Sequence, residues 1–219
     1  MADIARLRID LDEVTPRVRR RVEVPLDIRL DELHRVIQAA MGWEDYHLYE
    51  FRRAGTAWGV PDPDWDFPGT SALPAADASL ADLLGGRAKR FTYVYDFGDD
   101  WRHTVRVEGI TEAEPDVRYP RFLDGEGRCP PEDVGGPWGY ADFLEAVSDP
   151  GHERHDELLE WCGGSFDPAD IGEAQIRERL DEIAARLARK AARRTGPKLS
   201  GARRTARGTA ARPRGGPRR

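Results

Sequence analysis

Apolar and polar positions alternate at the start of the chain. Ala5, Leu7, Ile9 and Leu11 are interleaved with Arg6, Arg8, Asp10 and Asp12, the period of a half-buried strand. DEVTP turns the chain, and Val18, Val22 and Val24 form a second strand that ends at Pro25, an opening hairpin. Leu30, Leu33, Ile37 and Met41 then follow at helical spacing, widened by Val36 and Ala40, and Gly42 stops the helix. Trp43 to Arg53 reads as a further strand carrying Tyr46, Leu48, Tyr49 and Phe51. Residues 54–76 hold Pro61, Pro63, Pro68 and Pro74 and read as a long loop, tacked to the body by Trp58, Trp65 and Phe67. Ser79 to Leu84 gives one short helical turn before Gly85 and Gly86.

The densest run of β-formers is Phe91–Ile110, FTYVYDFGDDWRHTVRVEGI, two strands around an acidic turn. Putting Phe91, Tyr93, Tyr95 and Phe97 on one face with Val105 and Val107 needs paired residue numbers with an even sum, 198 or 200. That register places His103 among the aromatics and Asp96 on the opposite face. Glu112 to Gly136 reads as loop. Pro137 starts a helix with Tyr140, Phe143, Leu144 and Val147 as its stripe, and His152 to Trp161 is a second short helix. Asp170 and Glu173 suggest a capping box for a last helix whose face is Ile176, Leu180, Ile183 and Leu187.

These elements predict one α+β domain over residues 1–192, an antiparallel sheet with helices packed against it. Its ββαβ opening is also compatible with a β-grasp-like core. Composition changes the picture at the C-terminus. No acidic residue follows Glu182, and 13 Lys and Arg lie from Arg186 onward, so the formal charge of -6 divides into +13 there and -19 before it. Residues 193–219, poor in apolar residues and rich in Arg, are expected to be disordered. Two cysteines are too few for a disulfide framework. No apolar run approaches the roughly 18 residues of a membrane span, and the N-terminal residues have no signal-like apolar core. The expectation is a cytoplasmic protein with no membrane partner. No cofactor motif is present, so no cofactor is expected; nothing in the sequence sets the oligomeric state.

The segments LDELHRVIQAAMGWEDYHLYEF, YVYDFGDDWRHTVRVE, YPRFLDGEGRCPPEDVGGPWGY and WCGGSFDPADI occur in this order. Through them the chain, from Ile4 to Leu187, resembles the plasmid pRiA4b ORF-3-like family. The resemblance implies a compact α+β fold and no particular activity; some family members are labelled as passengers of mobile elements. Many relatives carry a cysteine where this chain has Val134, which weakens any thiol or metal role there. The Arg-rich tail lies outside the resemblance.

Candidate chemistry follows from residue type and spacing. Asp96, Asp99, Asp100 and His103 are close enough in sequence for a divalent-metal hydrolase or nuclease, against the plainer reading of a charged turn with a core histidine. DFG here lacks the Gly-rich loop and other kinase signatures. Cys129, His152, His155 and Cys162 are the right types for structural zinc, but HExH with these cysteines matches no zinc spacing. Ser148 and Ser165 sit in no nucleophile elbow. Trp101, Glu132, Asp133 and Tyr140 are binding candidates around the turn and the CPPEDVGGPWGY segment. Arg203, Arg204 and Arg207 would contact nucleic acid or an acidic protein partner by salt-sensitive backbone binding. The leading expectation is a small binding or adaptor module; the alternative is the metal-dependent hydrolase or nuclease.

Overall fold

The computed structural model describes residues 3–61, 72–86 and 88–195. Eight strands form one mixed sheet in the order β5-β4-β3-β6-β7-β1-β2-β8. They are β1 (Asp3–Leu11), β2 (Arg19–Pro25), β3 (Tyr49–Arg53), β4 (Thr56–Gly59), β5 (Leu73–Pro74), β6 (Arg90–Tyr95), β7 (Trp101–Glu112) and β8 (Arg121–Glu126). All neighbours are antiparallel except β4 and β5. The helices are α1 (Leu30–Met41), α2 (Leu80–Leu84), α3 (Gly136–Ser148), α4 (His155–Trp161) and α5 (Glu173–Thr195). This is the α+β class that the hydrophobic pattern predicts. No helix among the described residues is long and apolar enough to cross a membrane.

Alternation sets the core. Leu7, Ile9, Val22, Val24, Phe51, Tyr93, Val105 and their neighbours point to one face, where α1 buries Leu30, Leu33, Val36 and Ile37 against them. Gly42, at φ 96, ends α1 in a left-handed cap, as the sequence suggests. Arg20 is also fully buried in this layer. Its guanidinium donates to the carbonyls of Ala40, Glu126 and Gly127, tying the end of α1 to the end of β8.

Several elements differ from the sequence reading. Trp43 to Leu48 is an irregular connection with a bend at His47, and only Tyr49–Arg53 is strand. The expected loop over 54–76 contains β4, β5 and a 3-10 turn at Ala75–Asp77, while Trp65 and Phe67 lie outside the described residues. The expected loop after Glu112 contains β8, which pairs with β2. The helix over 152–161 begins at His155. Asp170 makes no capping box; its side chain accepts from the Gly172 amide, and α5 starts at Glu173. The tail from 196, with Arg203, Arg204 and Arg207, lies outside the described residues.

α5 lies on α1 through Ile176, Leu180 and Ala184. The pair is pinned by Glu32, whose side chain is 4% exposed and accepts from both Arg186 Nη atoms, at 2.8 and 2.5 Å, and from Lys190 at 3.3 Å. Burial opposes ionisation of Glu32, but the Arg186 hydrogen bonds and charge, with Lys190 and Arg35, outweigh it and hold the carboxyl at about 2. A depressed folded-state value stabilises above the unfolded value, and the gain is lost as pH falls through the folded one. Glu32→Gln is therefore expected to cost about 2 kcal/mol near pH 7. In urea melts across pH, the gap from wild type should close between about pH 4.5 and pH 2.

Candidate functional site

Three segments meet at the end of the sheet where β6 turns into β7: the α1–β3 connection, the β6–β7 turn and residues 130–136. Trp43 Nε1 donates to the Pro130 carbonyl at 3.0 Å, and the Gly135 amide donates to Asp99 Oδ2 at 3.1 Å. The Tyr95 hydroxyl lies between them. It accepts from the amides of Tyr46 (3.0 Å) and His47 (3.4 Å) and donates to Glu132 Oε1 at 3.1 Å. Glu132 Oε1 also accepts from the Glu44 amide at 2.8 Å. Burial, then the nearby Asp133 charge, pushes the Glu132 carboxyl up, against the Glu44 and Tyr95 hydrogen bonds.

At this junction His47 Nε2 lies 3.0 Å from Asp133 Oδ1 and 3.6 Å from Asp96 Oδ2. Although enclosed, Nε2 makes no hydrogen bond of proper geometry. Asp133 is within reach, so the misfit is one of direction. Separations of this size are those of ligands sharing one ion at bond lengths of roughly 2.0–2.2 Å. Among the described residues, His47, Asp96 and Asp133 are the group whose His, Cys, Asp and Glu ligand atoms converge in this way. One imidazole and two carboxylates suit a borderline divalent cation such as Zn²⁺ or Mn²⁺, and three protein ligands leave positions open.

The backbone explains how the carboxylates arrive there. Among the described residues, Asp45, Asp96, Asp100 and Asp133 are four of the seven non-glycine residues with positive φ. Such conformations are costly and concentrate where a site needs a side chain re-aimed. At Asp96, φ is 55, so strand alternation ends and the carboxylate turns inward; the residue is 7% exposed. Its Oδ1 accepts from the amides of Gly98 and Asp99, leaving Oδ2 toward His47. Asp45, on the other side, is bonded to His34 Nε2 at 2.6 Å, and His34 Nδ1 meets the Tyr93 hydroxyl at 2.7 Å. Burial pushes the His34 imidazole down more than Asp45 lifts it.

The register pairs Phe91 with Val105, Tyr93 with His103 and Tyr95 with Trp101. His103 thus joins the aromatic face as expected. It is fully buried, with Nδ1 near the Tyr93 and Trp101 carbonyls, and burial lowers its imidazole to about 4. It takes no part in the cluster. Phe97 does not continue the face: a five-residue turn leaves it half exposed. Asp96 is the member of the predicted acidic set whose carboxylate faces His47, and it is not outward-facing. Asp99 caps the Gly135 segment and Asp100 pairs with Arg102. Trp101 is fully buried, and Tyr140 is buried with its hydroxyl donating to the Arg128 carbonyl. Glu132 and Asp133 are at the junction. Cys129, His152, His155 and Cys162 do not gather. His152 Nδ1 accepts from the Arg154 amide, His155 Nδ1 lies at the Ala146 carbonyl, and burial raises the Cys129 thiol beside Arg20. The sequence gives no pointer to His47, because Trp43 to Arg53 reads as strand; Gly42 and the acids Glu44 and Asp45 are the signal of an irregular connection there.

Residues 3–175 match the family described as plasmid pRiA4b ORF-3-like protein. An uncharacterized protein, y4hQ, from Sinorhizobium fredii is 48% identical over 197 residues, 89% of this chain and all of that protein. The crystal structure of a protein of unknown function, MM3350 from Methanosarcina mazei Go1, superposes with a TM-score of 0.70 at 33% identity, covering 78% of this chain and 96% of that one.

The junction depends on close backbone approach. A Cβ built on Gly136, at φ 70, would lie 2.6 Å from the Asp99 carbonyl oxygen, whereas one on Gly86, at φ 79, meets nothing within 4 Å. Gly136→Ala is expected to cost at least about 2 kcal/mol and Gly86→Ala about 1 kcal/mol, since only the first adds a clash to the backbone strain. Urea unfolding of the two variants checks the difference.

Proposed function

We propose, for a chain that belongs to the plasmid pRiA4b ORF-3-like family, that the folded body is a divalent-cation-binding module. Its ligands would be His47 Nε2, Asp96 Oδ2 and Asp133 Oδ1. The observation that carries this reading is the enclosed His47 nitrogen, unsatisfied as a hydrogen-bonding group yet 3.0 and 3.6 Å from two carboxylates on different segments. A buried polar atom without a partner is costly in a finished structure, and a shared ion would satisfy all three groups together. The basic C-terminal run supports a second, salt-sensitive contact with nucleic acid or an acidic protein.

A metal-dependent hydrolase is the second reading, and Glu132 favours it. Its carboxylate adjoins the cluster, and among the described residues its Oε2 is engaged only by the Tyr95 hydroxyl, at 3.3 Å. In such a reaction Glu132 would accept the proton of the attacking water, while the open side of the site admits a substrate. Of the acidic turn set, this reading keeps Asp96 and replaces Asp99, Asp100 and His103 with His47 and Asp133.

Isothermal titration of the metal-stripped full chain with Mn²⁺ and Zn²⁺ tests the module. One ion per chain is expected. His47→Ala and Asp96→Asn should each weaken binding at least about ten-fold, since even loss of an outer-shell partner costs about that much, and half-exposed Asp100→Asn should stay within about two-fold. Unchanged affinity in His47→Ala would remove the proposal.

A further inference from the structure

The helices cover one face of the sheet; the other carries a row of like charges. Arg21 is opposite Arg8, Arg8 is opposite Arg106 and Arg106 is opposite Arg90, so four arginines lie side by side across β2, β1, β7 and β6. Like charges in directly opposed pairs destabilise a sheet. Three of the four are offset: Arg8 and Arg106 by Asp10, at 2.9 and 3.1 Å, and Arg21 by Glu108 and Asp124, at 2.7 and 2.9 Å. Arg90 is exposed and has no carboxylate partner among the described residues, and neither has its exposed neighbour Lys89. Arg90 borders an open depression of about 560 Å³, with Arg52 and Arg53 on its wall and Glu50 as its acid. In a body that is otherwise strongly acidic, this corner is cationic. It lies at the opposite end of β3 and β6 from His47, Asp96 and Asp133.

We infer that this face binds the phosphodiester backbone of a nucleic acid, anchored at Arg90 and the depression beside it and continued along the arginine row. Guanidinium forks match phosphate oxygens in pairs, and Arg90 is free to do so without giving up a carboxylate. Four adjacent strands place the row over about 14 Å, the rise in which one strand of a helix presents about four phosphates. The side chains of the row are all arginine, with no ring for a base to stack on, so contact is with the backbone and is insensitive to sequence. This surface belongs to the folded body and is separate from the basic C-terminal run.

Anisotropy titration of the full chain with a labelled 20-nucleotide single-stranded DNA between 50 and 200 mM NaCl tests the inference. Lys89 and Arg90 are exposed and without a carboxylate partner among the described residues, so Lys89→Glu/Arg90→Glu should keep the wild-type melting temperature. It should weaken binding at least ten-fold at 50 mM and flatten the log–log salt slope by about 1.4, as expected for two lost single-strand phosphate contacts. Arg118→Glu, a matched charge reversal at another exposed arginine, compared with Arg90→Glu alone, controls for overall charge. Arg203→Gln/Arg204→Gln/Arg207→Gln reports the tail. A larger loss for Arg90→Glu than for Arg118→Glu, persisting in the tail-substituted background, supports the inference. Equal effects of the two reversals, binding abolished by the tail substitutions alone, or no binding by the wild-type chain overturns it.

Discussion

One hydroxyl ties together the three segments of the candidate site. Tyr95 sits at the last position of β6, its ring stacked on Trp43 with centroids 5.0 Å apart. Its oxygen accepts two amides of the α1–β3 connection and donates to Glu132. Three segments far apart in sequence are thereby fixed around one point. Each contributes one side chain to the cluster: His47, Asp96 and Asp133. A phenol in this role is both acceptor and donor, so it can join two backbone amides to a carboxylate without adding charge of its own. Burial raises the Tyr95 hydroxyl well above its ordinary range, so it remains protonated and able to donate.

The surrounding electrostatics follow from that arrangement. Carboxylates crowd the junction, yet several are already committed: Asp99 to the Gly135 amide, Asp45 to His34, and Asp96 Oδ1 to the turn amides. Asp96 Oδ2 and Asp133 Oδ1 are left facing His47. On the opposite face an arginine row runs across four strands, offset by Asp10, Glu108 and Asp124 up to Arg90, which has no carboxylate partner among the described residues. One sheet thus carries the carboxylate-rich junction at one end and a corner rich in arginine and lysine, with Lys89, Arg90, Arg52 and Arg53, at the other. Both lie within the residues shared with the plasmid pRiA4b ORF-3-like family, residues 3–175.

Much of the fold was legible because burial on one side writes itself as period two or 3.6. β1, β2, α1, β6, β7 and the face of α5 all carry that signal, and His103 was correctly assigned to the aromatic core. β8 was not legible: in RFLDGE only Phe122 is buried, so there is no alternation to detect, and its place is fixed by pairing with β2. The site was half legible. Asp96, Glu132 and Asp133 stood out as acids in turn-forming sequence. Their convergence did not, since it depends on left-handed backbone at Asp96 and Asp133, where strand periodicity gives no direction for a side chain. His47 was hidden by the same cause, in a connection read as strand. The arginine row was also invisible along the chain, because it exists only across four strands in register.

Anomalous diffraction from crystals of the full chain grown with Mn²⁺ or Zn²⁺ tests the central claim most directly. One strong peak is expected at roughly 2.0–2.2 Å from His47 Nε2, Asp96 Oδ2 and Asp133 Oδ1. A metal peak elsewhere, at Cys162 and His155 for example, with the His47 cluster empty at saturating metal would contradict it.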